Sequence, residues 1–84
     1  MMRVLDIVSS EIKYVNNIDY YLESEVEFLR EPIVGADFVF VHKGKMNNIG
    51  KIVRFYNGGN FLYIRTERNT GFIFYEKEVE NAEN

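Results

Sequence analysis

The sequence predicts an α+β fold that is mostly β, with an N-terminal helix followed by a small antiparallel β-barrel. Up to Pro32, apolar side chains recur every three or four residues, which is typical of an amphipathic helix. Beyond Pro32 the apolar period changes to two, in short segments separated by glycine and asparagine, which indicates strands joined by tight turns. The chain has 84 residues, so we expect a single domain over residues 1–84.

The helix is expected over about residues 10–30, within a helical N-terminal segment 1–32. Either serine of the pair 9–10 can cap its start, and Pro32 ends it because proline disfavours helical angles at Glu31. The apolar stripe consists of Ile12, Val15, Ile18, Leu22, Val26 and Leu29.

A pair of strands is the alternative for the same segment. An alternating pattern is carried by Tyr20, Leu22, Val26 and Phe28. The pair Asn16-Asn17 can form a turn before it, and aromatic and β-branched residues favour strands. Residues 3–8 also alternate, so they form either a short strand or the lead-in to the helix.

The barrel is expected over residues 33–80. Its strands are predicted at 37–42, 49–56, 61–66 and 72–75. The clearest turn is Asn57-Gly58-Gly59-Asn60, because glycine and asparagine tolerate the positive φ that tight hairpins need. A second turn is expected at 67–71, a last short pairing around Val79, and a frayed tail at 81–84. A sheet this short must curl to enclose a core, which favours a barrel.

Charge is segregated along the chain, although its net value is only −3. Residues 1–37 carry three basic and eight acidic side chains, for a net charge of −5. Residues 38–73 carry six basic and one acidic side chain, for a net charge of +5, and residues 74–84 carry one and four, for −3. A basic centre therefore lies between two acidic ends.

This pattern gives two candidate surfaces, each of which can equally be an ordinary solvated face. A basic and aromatic patch for nucleic acid would consist of Lys43, Lys45, Lys51, Arg54, Tyr56, Tyr63 and Arg65. Such patches pair with phosphates and stack on bases. An acidic, tyrosine-bearing helix face for a basic protein partner would consist of Asp19, Tyr20, Glu23, Glu27 and Glu31. Such faces act chiefly by speeding encounter.

No constellation in the sequence predicts catalysis. His42 is the only histidine, cysteine is absent, and the three serines lie in the N-terminal third without a nucleophile motif. Gly58-Gly59 lacks the Lys-Ser/Thr of a phosphate-binding loop, and a metal site would need several converging ligands. We therefore predict a protein that is not an enzyme, with no catalytic residues, no cofactor and no metal.

Three stretches carry a resemblance to a known fold family. They are the opening Gly35-Ala36-Asp37-Phe38-Val39-Phe40-Val41, the element Asn48-Ile49-Gly50-Lys51-Ile52-Val53, and the closing stretch from Gly71 to Glu80. Together they resemble SH3-like barrels, in particular the tiny SH3-like proteins of phages and prophages. Gly44-Lys45 and Gly50-Lys51-Ile52 are also similar to the KOW motif of ribosomal proteins and transcription elongation factors. The spacing is one residue short, with Asn47 or Asn48 where that motif has its inner glycine.

Three functions follow as hypotheses. The first is a non-catalytic interaction module, an accessory protein of a phage or prophage that binds a host protein. The second is a nucleic-acid-binding KOW or SH3-like module that uses the basic patch. The third is a structural or assembly subunit that forms a homo-oligomer through edge strands. No run approaches the roughly 18 apolar residues of a membrane span and no signal peptide is visible, so a cytoplasmic location is expected, in the host cell if the chain is phage-encoded.

Overall fold

The computed structural model describes residues 4–11 and 13–76, and most of them form β-strands. The elements are helix α1 (Val4–Glu11), strand β1 (Asn17–Leu22), a 3-10 turn (Glu23–Glu25), and strands β2 (Val26–Phe28), β3 (Asp37–His42), β4 (Lys45–Asn57), β5 (Phe61–Thr66) and β6 (Thr70–Tyr75). The predicted mostly-β fold is confirmed. Within the described ranges, no helix has the length and apolar character needed to cross a membrane.

The six strands form one sheet in the order β1-β6-β5-β4-β3-β2. Strands β2 to β6 make an antiparallel meander, and β1 returns to pair parallel with β6. All four predicted strands are present, although β4 begins four residues earlier than expected. The sheet curls into a half-barrel, which is compatible with the predicted small barrel. The predicted pairing around Val79 and the tail 81–84 lie outside the described residues.

The predicted helix over residues 10–30 is wrong. Helix α1 ends at Glu11, and residues 17–28 form β1, the 3-10 turn and β2, as the alternative strand pattern allowed. The physical reason is burial, because one helical stripe cannot include every large apolar side chain of this segment. Phe28 would fall outside the stripe, whereas the strands bring both Tyr21 and Phe28 against the core.

The inner face of the sheet is held together by aromatic packing around Phe74, which is fully buried. Its ring lies 5.6 Å from that of Tyr21 on β1 and 5.0 Å from that of Phe28 on β2, measured between ring centres. Phe40 on β3 lies 5.1 Å away. Because β1 and β2 are the two ends of the sheet, contacts to one central ring draw both ends inward and curl the sheet.

The outer face of the sheet carries a second, smaller core beneath α1. Phe61, Tyr63 and Ile73 are buried there, and Val8 of the helix packs against them. β5 therefore contributes buried side chains to both faces, which explains why its apolar residues are continuous rather than alternating.

The two halves of β4 pair with different strands. Residues 45–51 pair with β3, whereas residues 52–57 pair with β5. The pairing with β5 shifts between Ile52 and Arg54, so Val53 is the extra residue of a β-bulge. The bulge turns the strand and reverses which side chains face inward. Ile52 points into the core, and Arg54 points to the outer face below α1.

The β4–β5 hairpin depends on the absence of a side chain at Gly58. Gly58 donates its N–H to the carbonyl of Phe61 across a two-residue loop, and Gly59 adopts a φ of 89°. A Cβ at Gly58 would overlap the ring of buried Phe61.

We expect Gly58→Ala to lower the free energy of unfolding by about 1–3 kcal/mol, because Phe61 must leave its packed position. The matched control is Gly44→Asn, since Gly44 has a φ of 75° with open space beside it and asparagine tolerates that conformation. Urea denaturation of both variants measures the difference. An equal, small loss in both would contradict the packing role of Gly58.

Candidate functional site

A buried carboxylate, that of Glu11, lies at the end of α1. Glu11 is only 3% exposed. The Tyr63 hydroxyl donates a hydrogen bond of 2.6 Å to its Oε1, and Arg54 donates through Nη2 to its Oε2. Arg65 Nη1 lies 3.7 Å from Oε1. We call Glu11, Arg54, Tyr63 and Arg65 the Glu11 cluster.

The register of the β4–β5 hairpin assembles the cluster. Arg54 lies opposite Arg65, and Tyr56 lies opposite Tyr63, so all four side chains share the outer face of the sheet. The bulge at Val53 is necessary, because without the extra residue Arg54 would share the inner face with Ile52. α1 then places Glu11 over the two arginines, which would otherwise repel each other.

Burial and hydrogen bonding shift the pKa of Glu11 in opposite directions. Burial by itself raises the pKa of Glu11. The hydrogen bonds from Tyr63 and Arg54, with the charges of Arg54 and Arg65, outweigh it and hold the pKa below the ordinary value of 4.5. Burial and the bond to Glu11 raise the pKa of the Tyr63 hydroxyl, so that it remains a donor. The cluster is therefore a stable charged contact between helix and sheet.

Arg65 extends the cluster to two connecting segments. Its Nη2 donates to the Tyr14 carbonyl and to Asn69 Oδ1, both at 3.2 Å. The guanidinium also lies 5.7 Å from the centre of the Tyr14 ring, which is cation–π distance. One side chain thus ties the segment after α1 to the turn between β5 and β6.

The residues of the predicted nucleic-acid patch are divided between two environments. Arg54, Tyr56, Tyr63 and Arg65 lie together, but Tyr63 is buried at 2% exposure and both arginines contact Glu11. Tyr56 is 43% exposed beside Phe61. The lysines lie elsewhere on β4 or beside it. Lys43 is in the β3–β4 turn, Lys45 begins β4, and Lys51 lies opposite Asp37, all exposed.

The residues of the predicted acidic face do not form a helical row. Asp19 and Tyr20 lie on opposite faces of β1, Glu23 is in the 3-10 turn, Glu27 is on β2, and Glu31 follows it. All five are exposed. Among residues 4–11 and 13–76, none of the four carboxylates has a basic partner within ion-pair distance, whereas the neighbouring Glu25 lies 3.7 Å from His42. These five residues, Asp19, Tyr20, Glu23, Glu27 and Glu31, are called the acidic segment below.

A shallow groove lies beside the start of the acidic segment, between α1 and β1. Its volume is about 320 Å³, and its lining is Val8, Val15, Asn16, Asn17, Ile18 and Tyr20. Tyr20 is 50% exposed and belongs to both the groove and the acidic segment. Val8, Ile18 and Tyr20 give the groove an apolar lining on the outer face, whereas Asp19 lies on the opposite face of β1.

No metal-ligand grouping is found in the part of the chain that the structure describes. No three histidine or acidic side chains there converge as metal ligands. His42 contacts Glu25 and the ring of Tyr21 rather than a serine or another nucleophile.

Sequence reasoning missed Glu11. The available signal was its spacing from Val4 and Val8 at i, i+4 and i+7, which places a carboxylate on the apolar side of a helix. A carboxylate in that position needs a buried partner. The two arginines that meet this need are 43 and 54 positions away, and only the hairpin register identifies them.

No protein-family model, curated protein or solved structure matches this chain.

We expect Glu11→Gln to lower the free energy of unfolding by about 1–3 kcal/mol, because it removes the charge that Arg54 and Arg65 share. Gln retains the acceptor for Tyr63, so the change tests the ion pairs rather than the packing. Glu67→Gln is the matched control, since Glu67 is exposed and its loss should cost less than about 0.5 kcal/mol. Equal stability of Glu11→Gln and the wild type in urea would disprove the structural role.

The contribution of Glu11 to the free energy of unfolding should decrease as the pH is lowered. Because the folded-state pKa of Glu11 is lowered from 4.5, its stabilisation is complete above about pH 4.5 and is lost as pH falls through the folded-state value. The stability gap between the wild type and Glu11→Gln should therefore be largest near neutral pH and should narrow in acid. Urea titrations of both proteins at several pH values measure the gap. A gap that is constant or widens in acid would contradict the assignment.

Proposed function

We propose that this chain is a small non-catalytic interaction module that binds a protein partner with a basic surface through the acidic segment. The resemblance of residues 35–80 to SH3-like phage proteins favours an accessory protein of a phage or prophage, acting on a host protein in the host cytoplasm. The observation that carries the proposal is that acidic and basic side chains of the chain differ in how many have ion-pair partners. The carboxylates of the acidic segment are exposed without described partners, whereas two arginines of the basic centre are bound to Glu11.

The charged side chains that a partner can reach therefore differ from those that the sequence pattern alone suggests. Residues 17–37 carry six acidic side chains and one basic one, and only Glu25 has a described ion partner. Exposed charges of one sign speed the encounter with a partner of opposite sign and suppress binding of partners of like sign.

The groove between α1 and β1 supplies the apolar component that a protein interface also needs. Interfaces combine an apolar centre with a polar rim, and tyrosine is enriched at their centres. Here Ile18 and Tyr20 line the groove from the outer face of β1, and Tyr20 also belongs to the acidic segment. The acidic segment thus has an apolar contact at one end.

Nucleic-acid binding has less support from the same geometry. Stacking on bases requires exposed aromatic rings, but Tyr63 is buried, which leaves Tyr56 as the only exposed ring of the predicted patch. Phosphate contacts require unpaired cations, and Arg54 and Arg65 already contact a carboxylate. The lysines Lys43, Lys45 and Lys51 remain as exposed cations on an acidic protein.

The proposal predicts that charge reversal of the acidic segment abolishes capture of the partner. We expect the immobilised double variant Glu23→Lys/Glu27→Lys to capture at least tenfold less of the partner from lysate of the source cells than the wild-type chain does. The control Glu67→Lys/Glu76→Lys makes the same change in net charge at exposed positions outside the segment, and it should retain the partner. Captured proteins are identified by mass spectrometry at two salt concentrations.

Identical capture by both variants would overturn the proposal. Fluorescence anisotropy with short single- and double-stranded DNA and RNA addresses the nucleic-acid alternative, for which we expect no binding at low salt. Micromolar, salt-sensitive binding that is lost in Lys45→Glu/Lys51→Glu would favour that alternative instead.

A further inference from the structure

The second half of β4 presents an open sheet edge that is separate from the acidic segment. Residues 52–57 pair with β5 on one side. On the other side, β3 pairs only with residues 45–51, and the loop segment 34–36 reaches no further than Ile52. Within residues 4–11 and 13–76, no strand covers the edge from Val53 to Asn57.

The hairpin fixes which backbone groups point to this edge. Gly58 donates its N–H to Phe61 and so faces β5. Backbone directions alternate along a strand, so Tyr56 and Arg54 also face β5, whereas Asn57 and Phe55 face the open side. The edge therefore offers two N–H donors and two carbonyl acceptors in an extended strand.

The side chains along the edge do not protect it. Val53, Phe55 and Tyr56 are 45%, 38% and 43% exposed. Natural proteins usually block an open edge with lysine, proline or an inward-pointing charge. The one charged side chain here is Arg54, and it is bound to Glu11 on the outer face.

We propose that a second copy of this chain adds to this edge, with the two β4 strands antiparallel and a two-fold axis at Tyr56. In this register Phe55 of each copy lies opposite Asn57 of the other. All four edge donors and acceptors of each strand are then paired, giving four hydrogen bonds across the axis. The register centred on Phe55 is inferior, because it would pair Asn57 with Val53 at the bulge, where regular strand geometry is interrupted.

The strand is also self-complementary in its side chains. Tyr56 of each copy meets the other Tyr56 in a non-hydrogen-bonded pair, where cross-strand side chains approach most closely. Arg54 lies diagonally from the opposing Tyr56, within reach of a cation–π contact. Each Arg54 is ion-paired with Glu11 of its own copy, which weakens the repulsion between the two arginines across the axis.

Among residues 4–11 and 13–76, the segment nearest to this edge does not overlap the second copy. Its strand would turn away at Gly58, opposite Arg54, and so would not reach Ile52, where the segment 34–36 occupies the edge. The shared strand is only about five residues long, so the buried area is small and we expect a dissociation constant of micromolar or weaker. The acidic segment is on β1 and β2 and stays exposed, so this pairing is independent of the proposed function.

A single introduced cysteine tests the register, because the chain has no cysteine of its own. We expect Tyr56→Cys to form a disulfide-linked dimer at least tenfold faster under mild oxidation than the control Glu67→Cys, whose position is exposed outside the edge. Cβ atoms of a non-hydrogen-bonded pair lie close to disulfide distance.

Analytical ultracentrifugation of the wild-type full chain should show concentration-dependent dimerisation, and Phe55→Lys should abolish it while circular dichroism shows an unchanged fold. The wild-type measurement does not depend on how any variant folds. A monomer at the highest attainable concentration, or equal crosslinking rates for Tyr56→Cys and Glu67→Cys, would overturn the proposal.

Discussion

The fold depends on the contacts that gather around the ring of Phe74. This one side chain touches residues from both ends of the sheet, Tyr21 and Phe28, as well as Phe38 and Phe40 on β3. A flat sheet of six short strands would leave one face in water, and a chain of this size cannot forgo that burial. Aromatic packing around a single ring therefore converts the meander into a half-barrel. It also fixes the position of β1 and β2, which carry most of the acidic segment.

The Glu11 cluster attaches the short helix α1 to the outer face of the sheet. An eight-residue helix has little intrinsic stability and must be held by tertiary contacts. Apolar contacts from Val8 contribute, but the cross-strand pair Arg54 and Arg65 is unfavourable without an anion. Glu11 meets both needs, because its carboxylate contacts both arginines, which reduces their repulsion, and it attaches the helix to the sheet. As a result, two cations of the basic centre hold the helix in place, and they contribute less positive charge to the surface that a partner can contact.

The sequence predicted the parts of the fold in which local pattern and tertiary packing agree. From Asp37 onward, alternation and the Gly58-Gly59 turn specify strands that have no competing structure. Residues 12–29 carried both a helical and a strand pattern, and the contacts that decide between them come from Phe74 and β6, more than forty positions away. The same holds for the site. Arg54 and Arg65 could be grouped from hairpin alternation, but their carboxylate partner could not, because the Val53 bulge that turns Arg54 toward α1 has no clear sequence signature.

The bulge at Val53 links the buried cluster to the open edge. By adding one residue, it moves Arg54 from the inner face to the outer face, where Arg54 forms an ion pair with Glu11. It also marks the point at which β4 leaves β3 and the segment 34–36 and continues with β5 as its one partner among the described residues. A regular strand would have carried Arg54 inward and left either a buried charge or a different core. The same irregularity therefore gives β4 an edge whose one charged side chain is ion-paired, and an identical strand can approach such an edge with weaker electrostatic repulsion.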